Sequence, residues 1–360
     1  MPDGVGHPAP RLLMTTDAVG GIWRYSVDLA EGLAGCGVQT VLAVLGPSAD
    51  PAQRAEAEAV PGLRLVDTGL PLDWTAAAPS ELARASEHLA GLAALAGADG
   101  VHLHAPALVG AARWPAPVVA VAHSCVATWW RAVRGGPMPD DFAWRSEATR
   151  AGLLAAQGVI APTAAHAEAT ETAYGPLPIR VVHNGGRALP IPARPRRPGV
   201  LTAGRLWDAG KAVDWLDRAA PGLDVPVLAA GPTRSPEGSE VRFDHLRLLG
   251  TLVPNTLAAE RAGTTVFASM ARYELFGLAV LEAAQSGMAL VLSDTPGFRE
   301  LWDGAAIFVA DESGLLPALR QALATPEPWA ARAQGRARRY TVEAMAVGTL
   351  AVHRGVAVQA

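Results

Sequence analysis

The chain has 360 residues, 50% of them hydrophobic, with a formal net charge of −4 and an isoelectric point of about 6.1. This charge argues against a nucleic-acid-binding protein, which would carry a basic excess. The two cysteines, Cys36 and Cys125, lack the spacing of metal ligands and fit a reducing compartment. We recognise neither a signal peptide nor an apolar run of the ~20 residues that a membrane helix needs. We therefore expect a cytoplasmic protein of two or three domains.

The first half of the chain alternates short apolar runs with longer segments of helical periodicity. The predicted strands, bounded by Gly, Pro, Asp or Ser, are RLLMTTD, VQTVLAV, GVHLHA, PVVAVAHS and GVIAPT. The predicted helices between them include YSVDLAEGLAGCG and SELARASEHLAGLAALAG. Strands that alternate with helices predict a parallel sheet with helices on both faces.

The same alternation begins again after a proline-rich segment, residues 187–199. The predicted strands of the second half are GVLTAGR, VPVLAAGP, LRLLGT, TTVFAS, MALVLSD and AAIFVAD. Because proline cannot sit within a central strand or helix, we predict that the segment is a linker. The predicted fold is α/β, with doubly wound domains over 1–187 and 188–340. The last helical pattern, 341–360, is expected to pack back on the first domain, and ligands to bind in a cleft at the carboxyl ends of the strands.

Residues 202–216, TAGRLWDAGKAVDWL, look like a phosphate-binding loop with altered spacing. A Walker A loop has four residues between its first glycine and the Gly-Lys pair, and a Ser or Thr after the lysine. Here five residues separate Gly204 from Gly210, and Ala212 replaces the hydroxyl. Lys211 is the only lysine of the chain. The segment is a damaged triphosphate site, an ordinary helix start or a phosphate site of another kind.

A second candidate site lies in residues 269–301. Glu274 and Glu282 are eight residues apart, which suits a loop carboxylate followed by one on a helix that begins near Gly277. In that arrangement the amides of Phe276, Gly277 and Leu278 are helix-start donors for an anion. Two carboxylates beside such a helix start suit a ligand that carries both hydroxyls and phosphates. A nucleoside diphosphate sugar is such a ligand.

The residues from Glu274-Leu275-Phe276-Gly277 to Glu282 resemble the E-x7-E motif of the retaining, GT-B-fold glycosyltransferases of family 4. The resemblance extends over essentially the whole chain. It includes Gly204-Arg205 with Lys211, and the segments TTDAVGGIWRYSVDLAEGL, VAVAHS, VVHNGGR and RRYTVEAMA. It implies two Rossmann-like domains that face each other across a cleft, with the acceptor bound by the first and the donor nucleotide by the second.

The resemblance also implies roles for single residues of the donor domain. Arg205 and Lys211 would hold the donor diphosphate and offset the charge that builds on the leaving group. Glu282 would accept hydrogen bonds from ribose hydroxyls, and Glu274 from hydroxyls of the transferred sugar. The amides of residues 276–278 would support the distal phosphate.

Further roles are implied for the first domain. Gly20 and Gly21 would let the backbone approach the phosphates, and His123 would lie beside the reacting sugar carbon. A core histidine is the alternative for His123, while His102 and His104 are interpreted as structural or cleft-lining residues. The acceptor is thought to attack on the leaving-group face with a donor phosphate oxygen as base, so no protein nucleophile is nominated. No metal and no cofactor are expected, because Asp-x-Asp is absent and the donor, UDP-linked by preference, is a co-substrate.

The acceptor is less constrained by the sequence. Trp129, Trp130 and Arg131, in a segment interpreted as a flexible loop, are candidate acceptor contacts, and Trp23 is another. The same segment could pack on its own domain or touch a membrane, which would place the protein at the inner face of that membrane. The acceptor classes we consider are a sugar, a lipid-linked molecule and a natural product.

Other functions compete with a hexosyltransferase-type glycosyltransferase. A sugar-nucleotide epimerase or a phosphorylase-like enzyme could use the same fold, and a non-catalytic protein could bind a sugar nucleotide with the same residues. A nicotinamide-dependent enzyme is disfavoured because no G-x-G-x-x-G follows any predicted strand.

Overall fold

The computed structural model describes residues 9–188, 195–235 and 238–357. The predicted linker, 187–199, therefore lies partly outside the described residues. Its last part differs from the prediction, because a strand already begins at Arg197. Pro198 is tolerated there because the strand's pairing with its neighbour on one side begins only at Val200.

The chain divides into two compact units. Of the described residues, the first unit comprises 9–128, 137–185 and 342–357, and the second comprises 129–136, 186–188, 195–235 and 238–341. In the described residues of the first unit the strands and helices are β1 (Arg11–Asp17), α1 (Gly21–Gly35), β2 (Gln39–Leu45), α2 (Pro51–Glu58), β3 (Leu63–Asp67), α3 (Pro79–Ala96), β4 (Gly100–Leu103), β5 (Val118–Val121), α4 (Val126–Val133), α5 (Ala143–Ala155), β6 (Gly158–Ala161), α6 (Ala164–Tyr174) and β7 (Ile179–Val181), where α4 crosses the division at Trp129.

The second unit continues the same alternation. Its described elements are β8 (Arg197–Ala203), α7 (Asp214–Ala219), β9 (Val227–Ala230), β10 (Arg247–Gly250), α8 (Pro254–Gly263), β11 (Thr264–Ser269), α9 (Leu278–Gln285), β12 (Ala289–Ser293), α10 (Pro296–Trp302), β13 (Ile307–Val309), α11 (Leu315–Ala324) and α12 (Pro326–Ala337). The last helix, α13 (Val342–Ala357), belongs to the first unit.

Each unit contains one parallel sheet with a reversal of strand order. The described strands pair in the order β3-β2-β1-β4-β5-β6-β7 in the first unit and β10-β9-β8-β11-β12-β13 in the second. The order reverses between β1 and β4, and between β8 and β11. Ligands of open α/β sheets bind at such points, outside the carboxyl ends of the strands. The loops after β8 and β11 carry Arg205, Lys211 and Glu274.

The strands of the second sheet contribute side chains to two hydrophobic cores. Val200, Val266 and Val291 pack into one cluster with α7 and α11. Their neighbours Leu201, Phe267 and Leu292 pack into the other with α9, α10 and α12. Side chains of a strand alternate between faces, so both faces of the sheet are covered, as the sequence predicts.

The C-terminal helix α13 packs closely on α1 within the first unit. A Cβ on Gly32 would lie 2.7 Å from the Cβ of Ala346, so the absence of a side chain at residue 32 permits this approach. Within the described ranges, no helix is long and apolar enough to cross a membrane.

Candidate active site

The loop after β8 presents the two predicted cations of the donor site. Arg205 follows Gly204, the first residue after β8, and donates to Asp208 Oδ2 at 2.9 Å. The other oxygen of Asp208 accepts the Gly210 amide at 2.8 Å. Asp208 thereby shapes a single 3₁₀ turn, 209–211, that carries Lys211. The helix α7 begins only at Asp214, so Lys211 lies in the loop before this helix and not at its start.

Lys211 and Glu274 form an ion pair between the two loops. The Nζ–Oε2 distance is 2.5 Å, and each side chain is 21% exposed. The Arg272 amide also donates to the Gly210 carbonyl at 2.8 Å, which fastens the loop after β11 to the loop after β8. Lys211 keeps two N–H donors beyond the one that Glu274 accepts. The pair can therefore persist while Lys211 binds a second anionic group.

Helix α9 begins where the sequence predicts. Gly277 is its N-cap with φ of 84°, and no side chain caps the helix start. The Gly277 carbonyl accepts the amides of Val280 and Leu281 at 2.9 and 3.0 Å. A Cβ on residue 277 would lie 3.1 Å from Phe298 and 3.4 Å from Glu274. Both the positive φ and this crowding require glycine at the point where the helix start meets Glu274.

Arg205, Lys211 and Glu274 line one cavity. Its other lining residues come from β8, the loop after β8, β11 and the first turn of α9, and include Ser269, Ala279 and Val280. The cavity therefore brings two cations, one carboxylate and a helix start together at the strand-order reversal of the second sheet. These residues were predicted to act together, and within this unit they are neighbours.

Glu282, the second predicted carboxylate, has a partner that sequence reasoning missed. Arg261, on α8, donates Nη1 to Glu282 Oε2 at 2.6 Å, and the arginine side chain is only 2% exposed. The Glu282 side chain is 21% exposed. The signal in the sequence was weak, since an arginine in the last turn of a helix is ordinarily a solvated residue.

The loop that carries Arg205 also depends on a close backbone approach. A Cβ on Gly231, which follows β9 with φ of 138°, would lie 1.8 Å from the Gly204 carbonyl oxygen. We expect Gly231→Ala to lower the free energy of unfolding by about 2–4 kcal/mol, because the loop after β8 must move. Thermal unfolding measures this change. Gly335→Ala is the matched control because no atom lies within 4 Å of that added Cβ, and equal unfolding of the two variants would contradict the prediction.

In the first unit, the glycines predicted to face the donor begin α1. Gly20 is its N-cap, and the Gly20 amide already donates to Asp17 Oδ1 at 3.1 Å. Gly21 is exposed, and a Cβ there would meet no atom within 4 Å. The phosphate-covering role of both residues stays a prediction, with the Gly20 amide already engaged by Asp17.

His123 follows β5 and lies in a cluster of buried rings. Its ring centroid is 4.5 Å from that of Tyr25 and 4.9 Å from that of His104, both edge to face. His102 lies 5.1 Å from His104 and its Nδ1 is 3.2 Å from Nε2 of His353 on α13. The Nε2 atom of His123 is buried without a hydrogen-bond partner among the described residues. Its predicted place beside the reacting carbon stays a prediction.

Burial keeps these imidazoles neutral. It lowers the pKa of His123 to about 3, and the pKa values of His166 and His353 to about 4. It also lowers the pKa values of His102 and His104 well below their usual range, with neighbouring imidazoles as a second cause. Desolvation penalises the charged form of a histidine, and the loss of solvation is the largest cause at every one of these positions.

The segment interpreted as a flexible acceptor loop is a helix over much of its length. Trp129, Trp130 and Arg131 lie on α4, and two glycines with positive φ follow the helix. Residues 129–136 group with the second unit, where Trp129 Nε1 would lie 3.3 Å from a Cβ on Gly210. Trp129 thus borders the loop that carries Lys211. Its role in acceptor binding stays a prediction.

Trp23, the other predicted acceptor contact, is buried in this structure. It is 5% exposed, and its indole donates to Glu56 Oε2 at 3.2 Å, which joins α1 to α2. In this structure the side chain packs within the first unit, and an acceptor role for it stays a prediction.

Comparisons with known proteins agree with this geometry. A model of Glycosyltransferase Family 4 matches residues 19–185, and a model of Glycosyl transferases group 1 matches residues 197–325. The chain is a family-4-like glycosyltransferase. The glycogen synthase of Mycobacterium tuberculosis is 28% identical over 89% of this chain and 85% of that protein.

Solved structures show that this glycosyltransferase has the GT-B fold. A sucrose-phosphate synthase from Thermosynechococcus elongatus superposes with a TM-score of 0.79 at 17% identity, covering 98% of this chain and all of that one. Anabaena HepE in complex with UDP and glucose superposes with a TM-score of 0.72 at 15% identity, covering 96% of this chain and 100% of that one. The predicted α/β fold of two Rossmann-like domains is confirmed at this level.

Proposed function

We propose that this glycosyltransferase moves a sugar from a nucleoside diphosphate sugar to a hydroxyl-bearing acceptor, with retained anomeric configuration and without a metal ion. The observation that carries the proposal is that Arg205, Lys211 and Glu274 line one cavity beside the start of α9. Two cations and uncapped helix-start amides match a diphosphate, while a carboxylate matches sugar hydroxyls. The same cations would supply the charge stabilisation that a divalent ion supplies elsewhere.

The chemistry assigned to these residues is electrostatic. As the bond from the anomeric carbon to the phosphate oxygen breaks, negative charge builds on the departing diphosphate, and Arg205 and Lys211 stabilise it. The acceptor oxygen forms the new bond on the same face, and its proton passes to a phosphate oxygen of the leaving group. Glu274 holds both Lys211 and a hydroxyl of the transferred sugar. No side chain is assigned as a nucleophile.

The nucleotide and the acceptor class are supported by relatives. UDP is our proposed donor nucleotide, because a protein of the same fold was solved with UDP and glucose. The names of the similar glycogen synthase and sucrose-phosphate synthase support a sugar hydroxyl as acceptor. An epimerase or a sugar-nucleotide-binding protein would differ from this proposal in releasing no nucleoside diphosphate when an acceptor is added.

A thermal-shift screen tests the proposed donor class. The full chain is heated with UDP, GDP, ADP and dTDP and their sugars, each in EDTA and in Mg²⁺. A ligand that binds only the folded state at 100 times its dissociation constant adds about 2.7 kcal/mol of stability. We expect a nucleoside diphosphate, UDP by preference, to raise Tm equally in both buffers. Stabilisation by none of them would contradict the donor class, and stabilisation only in Mg²⁺ would contradict metal independence.

A further inference from the structure

Glu282 forms an ion pair with Arg261 of α8, and the two side chains differ in how deeply they are buried. The Arg261 side chain is 2% exposed and donates to Oε2 of Glu282 at 2.6 Å, whereas the carboxylate side chain is 21% exposed. Within the described ranges, no other side chain donates to Glu282 and no partner meets Nε of Arg261. The guanidinium is therefore desolvated with incomplete compensation.

Burying a guanidinium in this way costs free energy. The effective penalty of removing an ion from water is several kcal/mol, and one ion pair with an unpaired Nε recovers it only in part. A carboxylate that is 21% exposed can be solvated by water and has no need of this partner. The arrangement thus favours an explanation in which the arginine acts on the geometry of the carboxylate.

The geometry points to Arg261 as a positioning residue that fixes the Glu282 carboxylate for recognition of the donor ribose. Arg261 occupies Oε2 and sets the rotamer of the side chain, which leaves Oε1 to accept from a ribose hydroxyl. This inference rests on the proposed function, in which α9 lies beside the diphosphate. In this inference Arg261 makes the donor site specific for a ribonucleotide over a deoxyribonucleotide.

A comparison of ribose and deoxyribose ligands separates positioning from general support of the fold. Calorimetry measures Kd for UDP and for 2′-deoxy- and 3′-deoxy-UDP with the wild-type full chain and with Arg261→Met. We expect removal of the ribose hydroxyl that Glu282 binds, at the 2′ or the 3′ position, to raise Kd of the wild type at least about tenfold, as the loss of a hydrogen bond to a charged group does. The ratio of Kd for the deoxy ligand to Kd for UDP is called the deoxy ratio. In Arg261→Met the same removal should weaken binding less than about threefold, because Glu282 no longer holds the hydroxyl.

Two further variants serve as controls for Arg261→Met. Arg196→Met removes an arginine that donates to the Thr264 and Ser286 carbonyls of the same unit but not to Glu282. This variant should keep the wild-type deoxy ratio. Arg261→Lys keeps the buried charge, so it serves where Arg261→Met does not fold, and its single ammonium should also reduce the ratio.

The results that would contradict the role of Arg261 differ from those that would contradict the proposed donor class. If the deoxy ratio is about tenfold in the wild type and unchanged in Arg261→Met and Arg261→Lys, the inference is overturned while nucleotide binding remains intact. A wild-type ratio near one would overturn it too, because no ribose contact would then exist to be positioned. If UDP does not bind, the same series is run with ADP and GDP and their deoxy forms, and binding of no nucleoside diphosphate would contradict the proposed function itself.

Discussion

Replacing Lys211 with alanine is expected to lower kcat/KM for the donor by about a thousandfold while lowering the free energy of unfolding by about 1 kcal/mol. The large effect follows from the loss of a cation that faces the developing charge of the leaving group. The small effect follows from the partial exposure of the Lys211–Glu274 pair, which water already solvates. Glu274→Ala should behave in the same way, because it removes the sugar contact and frees Lys211.

Activity is measured as release of nucleoside diphosphate from the donor that the thermal-shift screen identifies, and stability as thermal unfolding. The matched control is Arg218→Ala, which removes another cation of the same unit that is paired with Asp214 and Glu312 at the surface. Because Arg218 lies outside the cavity, that variant should keep wild-type kcat/KM. Near wild-type turnover by Lys211→Ala or Glu274→Ala would contradict the site assignment.

The second large effect is a loss of folding stability that begins near pH 6.5 as the pH falls and leads to acid unfolding at lower pH. An unfolded histidine binds its proton at a pKa of about 6.5, whereas burial lowers the pKa of His123 to about 3 and those of His166 and His353 to about 4. The unfolded state therefore takes up protons that the folded state does not. Stability is fully present above pH 6.5 and falls by about 1 kcal/mol per pH unit for each such group until the folded pKa is reached.

One buried carboxyl opposes this trend. Burial, aided by Asp17, raises the pKa of Asp73 to about 6, so its protonation stabilises the folded state as the pH falls from about 6 toward 4. Arg145 acts in the opposite sense on the same carboxyl. The buried histidines outnumber this single group, and the net effect between pH 6.5 and 4 is destabilising. Proteins have about 5–15 kcal/mol of stability, which this slope exhausts within a few pH units.

Urea unfolding at pH 7.5, 6.5, 5.5 and 4.5 measures the dependence. His353→Gln should flatten it by about 1 kcal/mol per pH unit, because one partly buried imidazole no longer titrates in the unfolded state alone. His88→Gln, at an exposed position of α3, should leave the slope unchanged. A free energy of unfolding that is constant from pH 7.5 to 4.5 would contradict the account of the buried histidines.

The sequence predicts the elements that strong local signals mark. Buried strands such as β5 and β12 are almost entirely apolar runs, and Gly277 marks the start of α9 because only glycine suits its backbone. The short edge strands β3 and β7 were missed, since each is only partly buried and lacks an apolar run. The α4 helix was interpreted as a loop because its tryptophans and the glycines after it outweighed an eight-residue helical pattern.

The candidate site could be predicted in its residue types but not in its pairings. Arg205, Lys211 and Glu274 were identified from motif order, and the structure adds that Lys211 and Glu274 contact each other across 63 positions of sequence. Arg261 was missed because nothing local distinguishes a buried arginine from a solvated one. Burial of this kind depends on the tertiary packing of α8 against β8 and β11, which a single sequence does not specify.

The measurement that tests the donor site most directly is isothermal titration of the full chain, in EDTA, with the nucleoside diphosphate that the thermal-shift screen identifies. The account predicts saturable binding at one site, weakened at least about tenfold by Lys211→Met and unchanged by Arg218→Ala. Equal affinity of the wild type and Lys211→Met, or no binding of any nucleoside diphosphate to the wild type, would contradict the donor site at Arg205, Lys211 and Glu274.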